Sequence, residues 1–390
     1  MEDGVLGKGL CTGCGACVDL CPYLTHYRDR TVLLHACDRD SGRCSLYCPR
    51  TLVNLEEMQQ ALFDPADLTP ELGAIKGLYL TRARDVSIRT AAQHGGTVTA
   101  LISLALEAGL IDQAVLAGEE GELLPRSEAV SDPSQAQALA GSKFAAAPNV
   151  AAFNRASRTG AGRIGVVATP CQAQALAKMR LNAPPEDRAR VDRLKLVVGL
   201  FCGWALDWRK LKSLLSARME LAEVRGLDIP PSKFARMEVK IPDGTRDIPI
   251  DEVIGCVRES CGYCLDLTAE FADLSVGSAR SPEGWEVDQG WNQLIVRTGK
   301  GQELVDLALE EKALELKEAP AGNLERLKKA ALNKKRTCLA NLEKRTGNKE
   351  ELIYLNPHDG ALRAFRESQA GAKGEGEGSG PGRAGERTDV

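Results

Sequence analysis

Four cysteines near the amino terminus have the spacing of iron–sulfur ligands. Cys11, Cys14 and Cys17 recur with two residues between them, and Cys21 follows after three more, directly before Pro22. This is the C-x2-C-x2-C-x3-C-P pattern of bacterial ferredoxins, whose fourth cysteine binds a different cluster from the first three. A zinc knuckle or a disulfide staple is the alternative, but zinc sites rarely have the cysteine–proline ending. The run therefore predicts an iron–sulfur module with a second cluster nearby.

A second group of cysteines supplies the remaining ligands. It also ends in a Cys-Pro pair, but it has one cysteine fewer than a ferredoxin repeat. The usual crossing of the two motifs assigns one cluster to Cys11, Cys14, Cys17 and Cys48, and a second to Cys21, Cys37 and Cys44. Three thiolates leave this second cluster open. It is either a 3Fe-4S cluster or a 4Fe-4S cluster whose last iron takes Asp38, Asp40, His35 or water.

Composition excludes several classes of function. The 390 residues are 43% hydrophobic and 27% charged, with a net charge of −4 and only 4% aromatic residues, which argues against nucleic-acid binding. There are 13 cysteines and no secretory leader in the sequence, which predicts a reducing, cytoplasmic location and metal ligation rather than disulfides. The longest apolar stretch, residues 98–111, is too short to span a bilayer, so no direct membrane insertion is expected.

The middle of the chain alternates strand and helix patterns. A strand is expected at residues 78–81, and the pair Gly95-Gly96 followed by Thr97 opens a helix with apolar residues at a helical period. A helix amino terminus of this kind offers N–H groups and a dipole suited to a phosphate. Ser142 and Lys143 form a second candidate phosphate contact; a solvated loop is the alternative for them.

A third cysteine group lies within this α/β region. Cys256, Cys261 and Cys264 have the pattern C-x4-C-x2-C and need a fourth ligand. Cys171 and Cys202 each follow a buried apolar strand, and ligands gather at the carboxyl ends of such strands. We expect these two to lie close together, and either one to complete a third 4Fe-4S cluster.

The carboxyl-terminal part divides into helices and a tail. Residues 303–317 and 323–344 are predicted as helices, with Cys338 as a structural residue. Residues 371–390 are rich in Gly, Glu and Arg, and the chain is predicted to be disordered from about residue 370. The expected organisation is an iron–sulfur module over 1–70, an α/β core over 71–345 and a tail over 346–390.

Seven segments between residue 75 and about residue 345 together resemble the family of coenzyme F420 hydrogenase/dehydrogenase beta subunits. They are GGTVTALISLALEAGLIDQAVL, GSKFAAAP, VVATPCQAQAL, VGLFCGW, CGYCLDLTAEFADLSVGS, SPEGWEVDQGWNQLIVRT and LERLKKAALNKKR. The resemblance implies an FAD-binding α/β core with a mixed sheet and flanking helices, and a 4Fe-4S cluster beside the flavin. The altered second cysteine group and the long tail depart from the minimal family member.

The resemblance also implies site residues. Those around FAD are Gly95, Gly96, Thr97, Ser142 and Lys143, with Gly277 and Ser278 close to the flavin. The core cluster would take Cys256, Cys261 and Cys264, with Cys202 or Cys171 as the fourth ligand. No acid–base residue is expected beyond the flavin itself.

Together these features predict an oxidoreductase subunit that relays electrons between two or three iron–sulfur clusters and FAD. It would exchange a hydride with a soluble carrier, F420 or NAD(P), inside a larger complex that resembles a hydrogenase, a formate dehydrogenase or a heterodisulfide reductase. The alternative is a stand-alone, ferredoxin-dependent reductase of a small organic substrate. A non-catalytic iron–sulfur scaffold is a third possibility.

Overall fold

The computed structural model describes residues 1–39, 41–160 and 162–373. The strands, numbered β1 to β15 in chain order, are Leu24–Tyr27, Arg30–Leu33, Leu68–Thr69, Gly73–Ala74, Gly77–Ala83, Gln113–Glu120, Leu124–Val130, Ile164–Ala168, Leu194–Leu200, Gly226–Asp228, Arg236–Ile241, Gly244–Pro249, Leu274–Ser278, Asn292–Val296 and Leu314–Glu318.

The α-helices, numbered α1 to α14, are Arg43–Tyr47, Leu55–Leu62, Val86–Ala91, Thr97–Glu107, Pro133–Ala138, Asn149–Arg158, Pro170–Asn182, Pro185–Val191, Trp208–Ser216, Ile250–Ile254, Trp285–Asp288, Gly299–Glu310, Asn323–Thr346 and Gly360–Lys373. Short 3-10 segments lie at Pro65–Asp67, Leu221–Glu223, Ser232–Phe234 and Glu259–Tyr263, and a π-helical turn at Glu2–Leu6. None of the described helices combines the length and the apolar character needed to cross a membrane.

The largest sheet has a parallel centre and antiparallel edges. In the described part of the chain its strand order is β15–β5–β14–β13–β9–β8–β6–β7. Strands β13, β9, β8 and β6 pair in parallel, whereas β14, β5, β15 and β7 pair antiparallel. Every residue of β8 is buried, so the sheet must be covered on both faces. The predicted α/β class with a mixed sheet is thereby confirmed.

Two hydrophobic cores lie on opposite faces of this sheet. On one face, α4 and α12 pack Leu101 and Leu304 against Val167 and Val198. On the other face, α6 and α7 pack residues such as Phe153 and Leu176 against the alternate positions of the same strands. Since neighbouring residues of a strand point to opposite faces, β8 contributes to both cores. The carboxyl ends of β8 and β9 are thus held between two rigid helical layers.

The amino-terminal module packs directly on α6 and α7. The buried amide of Asn154 on α6 donates to the carbonyl oxygens of Ala16 (3.3 Å) and Val18 (2.7 Å) in the cysteine loop. A second junction joins Asp29 to Arg258, whose Nη1 lies 3.2 Å from the Asp29 carboxylate; both side chains are buried. The module therefore shares its interior with the core.

The chain closes on itself near its carboxyl end. The Val53 N–H donates to the Tyr354 carbonyl oxygen at 2.9 Å, and the Asp359 carboxylate accepts from the first N–H groups of α2, including Glu56 N at 3.4 Å. The sequence predicts residues 352–365 as part of a tail, but they pack against the iron–sulfur module. The predicted disorder from about residue 370 concerns chiefly residues 374–390, which lie outside the described residues.

One predicted helix is partly wrong. Helix is predicted throughout residues 303–317, but α12 ends at Glu310 and β15 runs over Leu314–Glu318. Lys312 adopts a positive φ of 56°, which stops the helix, and Leu314 pairs with Ala83 on β5. This edge pairing comes from tertiary structure, which a local helical pattern does not contain. The helices after Gly96 and after Gly322 are confirmed.

Candidate iron–sulfur and cofactor site

The first set of cysteines comprises Cys14, Cys17 and Cys48, which are buried, and Cys11, which is half-buried beside them. The pKa of Cys17 is raised chiefly by burial, and the neighbouring thiolates of Cys48, Cys14 and Cys11 raise it further. The loop depends on Gly15, which has φ +81° and whose missing Cβ would lie 2.8 Å from the Ala151 nitrogen. Only glycine allows this approach of the loop to α6. The crossing predicted from the sequence thus has its four thiols in one place.

The surface set, Cys21, Cys37 and Cys44, lies nearer to solvent. Cys37 is exposed, and the other two are half-buried. Burial raises the pKa of Cys44, and the thiolates of Cys21 and Cys37 add to that effect, so the three are neighbours. His35 lies edge-on to Tyr23, with ring centroids 6.4 Å apart. Asp40 lies outside the described residues, so the fourth ligand stays open.

The core set consists of Cys171, Cys202, Cys261 and Cys264. Burial raises the pKa of Cys202, and the thiolates of Cys261, Cys171 and Cys264 all raise it further. Cys171 is affected in the same way by Cys264 and Cys261. Cys171 and Cys202 are therefore close together, as expected. Both of them, and not only one, lie beside Cys261 and Cys264.

Cys256 does not join this set. Its Sγ lies 3.8 Å from the Glu252 carbonyl oxygen, within the apolar cluster beside the small sheet β10–β12. The charges that act on it come from Lys210, Asp207 and Glu252 and not from a cysteine. The chain turns at Gly255 and Cys256, and Val257 then bridges to Leu206, which separates Cys256 from Cys261. The structure thus does not bring Cys256 together with Cys261 and Cys264, and the ligand role of each of these cysteines stays a prediction.

Neighbouring parallel strands position the core set. Cys171 lies in the first turn of α7 directly after β8, where the Thr169 N–H donates to the Gln172 side chain at 2.9 Å and fixes the helix start. Cys202 follows β9, and its N–H donates to the Leu267 carbonyl oxygen at 2.8 Å. The Ala205 N–H points to Cys261 Sγ at 3.3 Å. The carboxyl ends of β8 and β9 thus set the spacing of the thiols.

The surroundings of the cysteines fit iron–sulfur clusters. The Arg50 N–H donates to Cys48 Sγ at 3.4 Å, the kind of bond that cluster ligands accept. Several buried polar atoms near the sets have no hydrogen-bond partner among the described residues: Thr12 Oγ1, Arg50 Nε, Arg258 Nε and Ser260 Oγ. Donors of this kind are costly to bury unless an acceptor such as cluster sulfur is present. In the described ranges, no three His, Cys, Asp or Glu side chains meet tightly enough for a single metal ion.

Two basic side chains lie beside the sets, and the sequence analysis did not single them out for this position. Lys334 on α13 donates to the Cys202 carbonyl oxygen at 3.0 Å, and the thiolates of Cys264, Cys202 and Cys261 raise its pKa against the effect of burial. Lys178 on α7 donates to the Cys48 carbonyl oxygen at 2.7 Å, and burial lowers its pKa to about 8. Both place positive charge next to the ligands.

A cavity of about 1140 Å³ opens onto the core set. Its lining includes all four core cysteines and most of the residues predicted to bind a cofactor: Gly96, Thr97, Ser142, Lys143, Gly277 and Ser278. Gly95 lies behind the wall, where a Cβ would stand 2.8 Å from Asn292 Oδ1 and 2.9 Å from the Thr81 carbonyl oxygen. Gly95 thus permits close packing beneath the lining.

The lining is strongly basic. Among the described residues it has one carboxylate, Asp288, which already accepts from Ser281. The basic lining residues are Arg50, Lys143, Lys233, Arg280, Arg326, Lys329 and Lys334. The amino terminus of α4 also faces this space, and Gly96 before it has φ +76°. Such a wall suits an anionic ligand, including a pyrophosphate.

His94 at this wall was missed by the sequence analysis. Its ring lies edge-on to Trp285, with centroids 5.9 Å apart. Burial lowers the His94 pKa to about 4; Asp228 acts to raise it and Arg280 to lower it further. The neighbouring Gly95-Gly96 pair was the only signal near it. The imidazole is therefore neutral at physiological pH.

Comparisons with known proteins agree with this geometry. The models for the beta subunit of coenzyme F420 hydrogenase/dehydrogenase match residues 78–154 (N-term) and 161–321 (C terminus), and a 4Fe-4S binding domain matches residues 6–24. Coenzyme F420 hydrogenase subunit beta of Methanothermobacter thermautotrophicus is 33% identical over 282 residues, covering 70% of this chain and 96% of the relative. This chain belongs to the family of coenzyme F420 hydrogenase/dehydrogenase beta subunits.

Other members support the assignment. Coenzyme F420 hydrogenase subunit beta of Methanosarcina barkeri is 29% identical, with 68% of this chain and 90% of the relative covered. A chain of the F420-reducing [NiFe] hydrogenase complex from Methanosarcina barkeri has a TM-score of 0.65 and 28% identity, with 72% of this chain and 95% of that chain covered. The family resemblance inferred from the sequence motifs is confirmed, and so are the 4Fe-4S motif and the oxidoreductase class.

Proposed function

We propose that this chain is the flavin- and iron–sulfur-containing subunit of an F420-linked oxidoreductase. It relays electrons between iron–sulfur clusters and FAD, and exchanges a hydride with F420 or another soluble carrier. The observation that carries the proposal is the position of the core set: its four thiols line the same cavity as the residues predicted to bind a cofactor. One-electron and two-electron carriers would thus be neighbours, as such an exchange requires.

The three sets would hold three clusters. The first set supplies four thiolates, the core set four and the surface set three, so the last cluster is a 3Fe-4S cluster or takes a non-cysteine ligand. Bound clusters supply one-electron transfer, and bound FAD supplies the conversion to electron pairs. Among the charges acting on Cys14 of the first set is that of Cys171 of the core set, so these two sets are adjacent. This adjacency supports electron transfer from the module to the core.

The basic wall would hold the anionic part of FAD. Lys143 and the amino terminus of α4 offer a positive charge and N–H groups to a pyrophosphate. Gly277 lies on β13, where a Cβ would overlap Phe201, at 2.1 Å from its Cδ2. A side chain here would displace the Phe201 ring, which also lines the cavity. We therefore assign Gly277 and Ser278 to the surface under the flavin.

The partners follow from the relatives. Those proteins are named as subunits of coenzyme F420 hydrogenase, and the solved structure is that of an F420-reducing [NiFe] hydrogenase complex. By analogy we propose a larger redox complex for this chain, with a free F420 molecule as the hydride carrier. The surface set, with Cys37 exposed, is the proposed entry point for electrons from a partner protein.

The test is anaerobic purification of the full chain with iron, sulfide and flavin quantified. One FAD and roughly eleven to twelve irons per chain are expected from the ligand counts. Low-temperature EPR of the oxidised protein then identifies a 3Fe-4S cluster, if there is one, by its signal in that state. About four irons and no flavin would contradict the proposal and leave a ferredoxin-like scaffold.

A second experiment tests the carrier. Dithionite-reduced protein is mixed with F420 and, separately, with NAD or NADP, and reduction is followed optically. F420 reduction by wild type and its loss in Lys143→Glu, with iron content unchanged, are expected because the reversed charge repels the cofactor phosphates. Lys195→Glu, an exposed substitution on β9 away from the cavity lining, is the matched control. Reduction of a small organic substrate in place of any carrier would favour a stand-alone reductase.

A further inference from the structure

We propose that Arg50 is a shared counter-charge for the first set and the core set, and that it holds both clusters at a higher reduction potential than their ligands alone would give. The inference rests on the proposed function, since it needs both clusters to be present. It concerns a positioning residue outside the twelve cysteines predicted as ligands. Arg50 follows Cys48-Pro49 directly, so its backbone belongs to the first set.

The guanidinium of Arg50 is buried, with 3% of the residue exposed. Its Cζ lies 4.6 Å from the centre of the Tyr354 ring, and Nη2 lies 3.5 Å from the Ser260 carbonyl oxygen. These two contacts fix the plane of the group between the C-terminal segment and the loop before Cys261. The side chain also lines the wall of the large cavity beside the core set.

Arg50 contacts both sets of ligands. Its backbone N–H donates to Cys48 Sγ at 3.4 Å, whereas its side chain donates to the carbonyl oxygen of Ser260, directly before Cys261, and lines the cavity wall together with Cys264. Burial raises the pKa of Cys48 in the first set and of Cys171 in the core set, and the charge of Arg50 acts to lower both. A single cation therefore acts on ligands that belong to two different clusters.

No carboxylate forms an ion pair with Arg50 among the described residues. Burial acts to lower its pKa, but Tyr354, Cys264 and Cys171 raise it, and its Nε has no hydrogen-bond partner in the same part of the chain. A buried guanidinium without a counter-ion is strongly unfavourable. The thiolates, and the clusters they would hold, are the negative charges that remain to balance it.

The consequence is electrostatic. Each one-electron reduction adds one negative charge to a cluster, and a fixed cation close by in a low-dielectric interior stabilises that charge. When two clusters are adjacent, the negative charge added by reducing one of them makes reduction of the other less favourable. A cation shared between them reduces this penalty for both, which favours electron sharing across the module–core junction.

The test is an EPR-monitored redox titration of the purified full chain and of Arg50→Met. We expect the oxidised-to-reduced ratio at fixed potential to rise at least about tenfold for both the first-set and core clusters, a shift of about 59 mV to more negative potential for a one-electron couple. Iron, sulfide and flavin contents are measured alongside. Absence of the two signals from wild type would overturn the proposed function together with the inference, whereas two signals with unchanged potentials in Arg50→Met would overturn the inference alone.

Two further variants make the result specific. Arg345→Met is the matched control, because Arg345 also lies over a tyrosine, 5.0 Å from the Tyr263 ring centre, but forms an ion pair with Glu259 at 3.3 Å. It should leave both potentials unchanged. If Arg50→Met does not take up iron, the inference is tested with Arg50→Lys. Because this variant keeps the positive charge, the oxidised-to-reduced ratio of both clusters at fixed potential should stay within a few-fold of wild type. A shift confined to one cluster, or an Arg50→Lys shift as large as that expected for Met, would also overturn the inference.

Discussion

The surface set and the core set contain similar thiols in opposite environments. Cys37 is exposed, and the surface set has no buried lysine or arginine donating to its ligands among the described contacts. The core set lies at the ends of two buried strands, with Lys334 donating to the Cys202 carbonyl oxygen. The surface set is therefore accessible to a partner protein, whereas the core set lies beside a fixed positive charge. Fixed cations beside a buried cluster favour its reduced state, whereas exposure favours electron exchange with another protein.

The sharpest test of the core set compares Cys202, one of two alternatives for the fourth ligand in the sequence analysis, with Cys256, a member of the C-x4-C-x2-C motif. Cys202→Ala should remove about four irons per chain and abolish electron transfer between the module and the flavin, because one cluster loses a ligand. Cys256→Ala should retain full iron content, since its thiol packs beside Glu252. Iron and sulfide analysis with EPR measures both. Iron loss from Cys256→Ala alone would restore the grouping expected from the sequence.

A substitution in the surface set should separate entry from chemistry. In Cys37→Ala we expect the surface cluster to be lost and flavin reduction by a reduced ferredoxin to fall at least about tenfold, because the exposed entry point is gone. Reduction by dithionite, a small molecule that can enter the cavity, should stay within about twofold of wild type. Stopped-flow absorbance with each donor distinguishes the two. Equal losses with both donors would mean that the surface set also supports the core.

The charge beside the core set predicts a smaller effect. Lys334→Met should make the core cluster about tenfold harder to reduce at a fixed potential, which is about 59 mV more negative for one electron. The first-set cluster should change less, because Lys334 contacts Cys202 and Gly203. Lys328→Met on the same helix is the control, since Lys328 pairs with Glu325 at the surface. A redox titration that moves both variants equally would contradict the comparison.

The smallest expected effect concerns the pH dependence of stability that comes from His94 in the cavity wall. Burial lowers the His94 pKa from 6.5 to about 4, so protonation favours the unfolded chain. The neutral His94 side chain therefore contributes to the free energy of unfolding. Its contribution is complete above pH 6.5 and is lost as the pH falls towards 4. Since His94 is only partly buried, we expect a loss of at most about 1–2 kcal/mol.

Chemical denaturation at pH 7 and pH 5 measures this contribution. His94→Gln should flatten the dependence of stability on pH, whereas His358→Gln, at an exposed site on the C-terminal segment, should leave it unchanged. An unaltered slope in His94→Gln would show that the imidazole is solvated.

Much of the fold follows from local patterns. The buried run at Ile164–Ala168 and the glycine pair before α4 locate the central strands and the helix that begins the cavity. The crossing of the first set with the surface set follows from ferredoxin spacing. The positions of the lysines and arginines beside the thiols cannot be predicted from local patterns. Lys334, for example, is 70 residues from Cys264 in sequence and lies beside the core set only because α13 packs there.

The different positions of Cys202 and Cys256 show why spacing alone does not identify neighbouring thiols. Cys256 is five residues from Cys261, yet the Val257–Leu206 bridge and the Arg258–Asp29 ion pair hold the chain between them so that Cys256 lies apart. Cys202 is far from Cys261 along the chain, and β9 brings it close. The role of Tyr354 was also missed, since its partner Arg50 lies more than 300 residues earlier in the sequence.

The closure between Val53 and Tyr354 has a consequence for biogenesis. During synthesis the iron–sulfur module leaves the ribosome about 300 residues before the segment near residues 354 and 359, which supplies the backbone partner of Val53 and the carboxylate that caps α2. Contacts so distant in sequence form late. The cysteine loops therefore stay accessible to the cell's assembly machinery until the segment near residues 354–359 has been made and packs against the module.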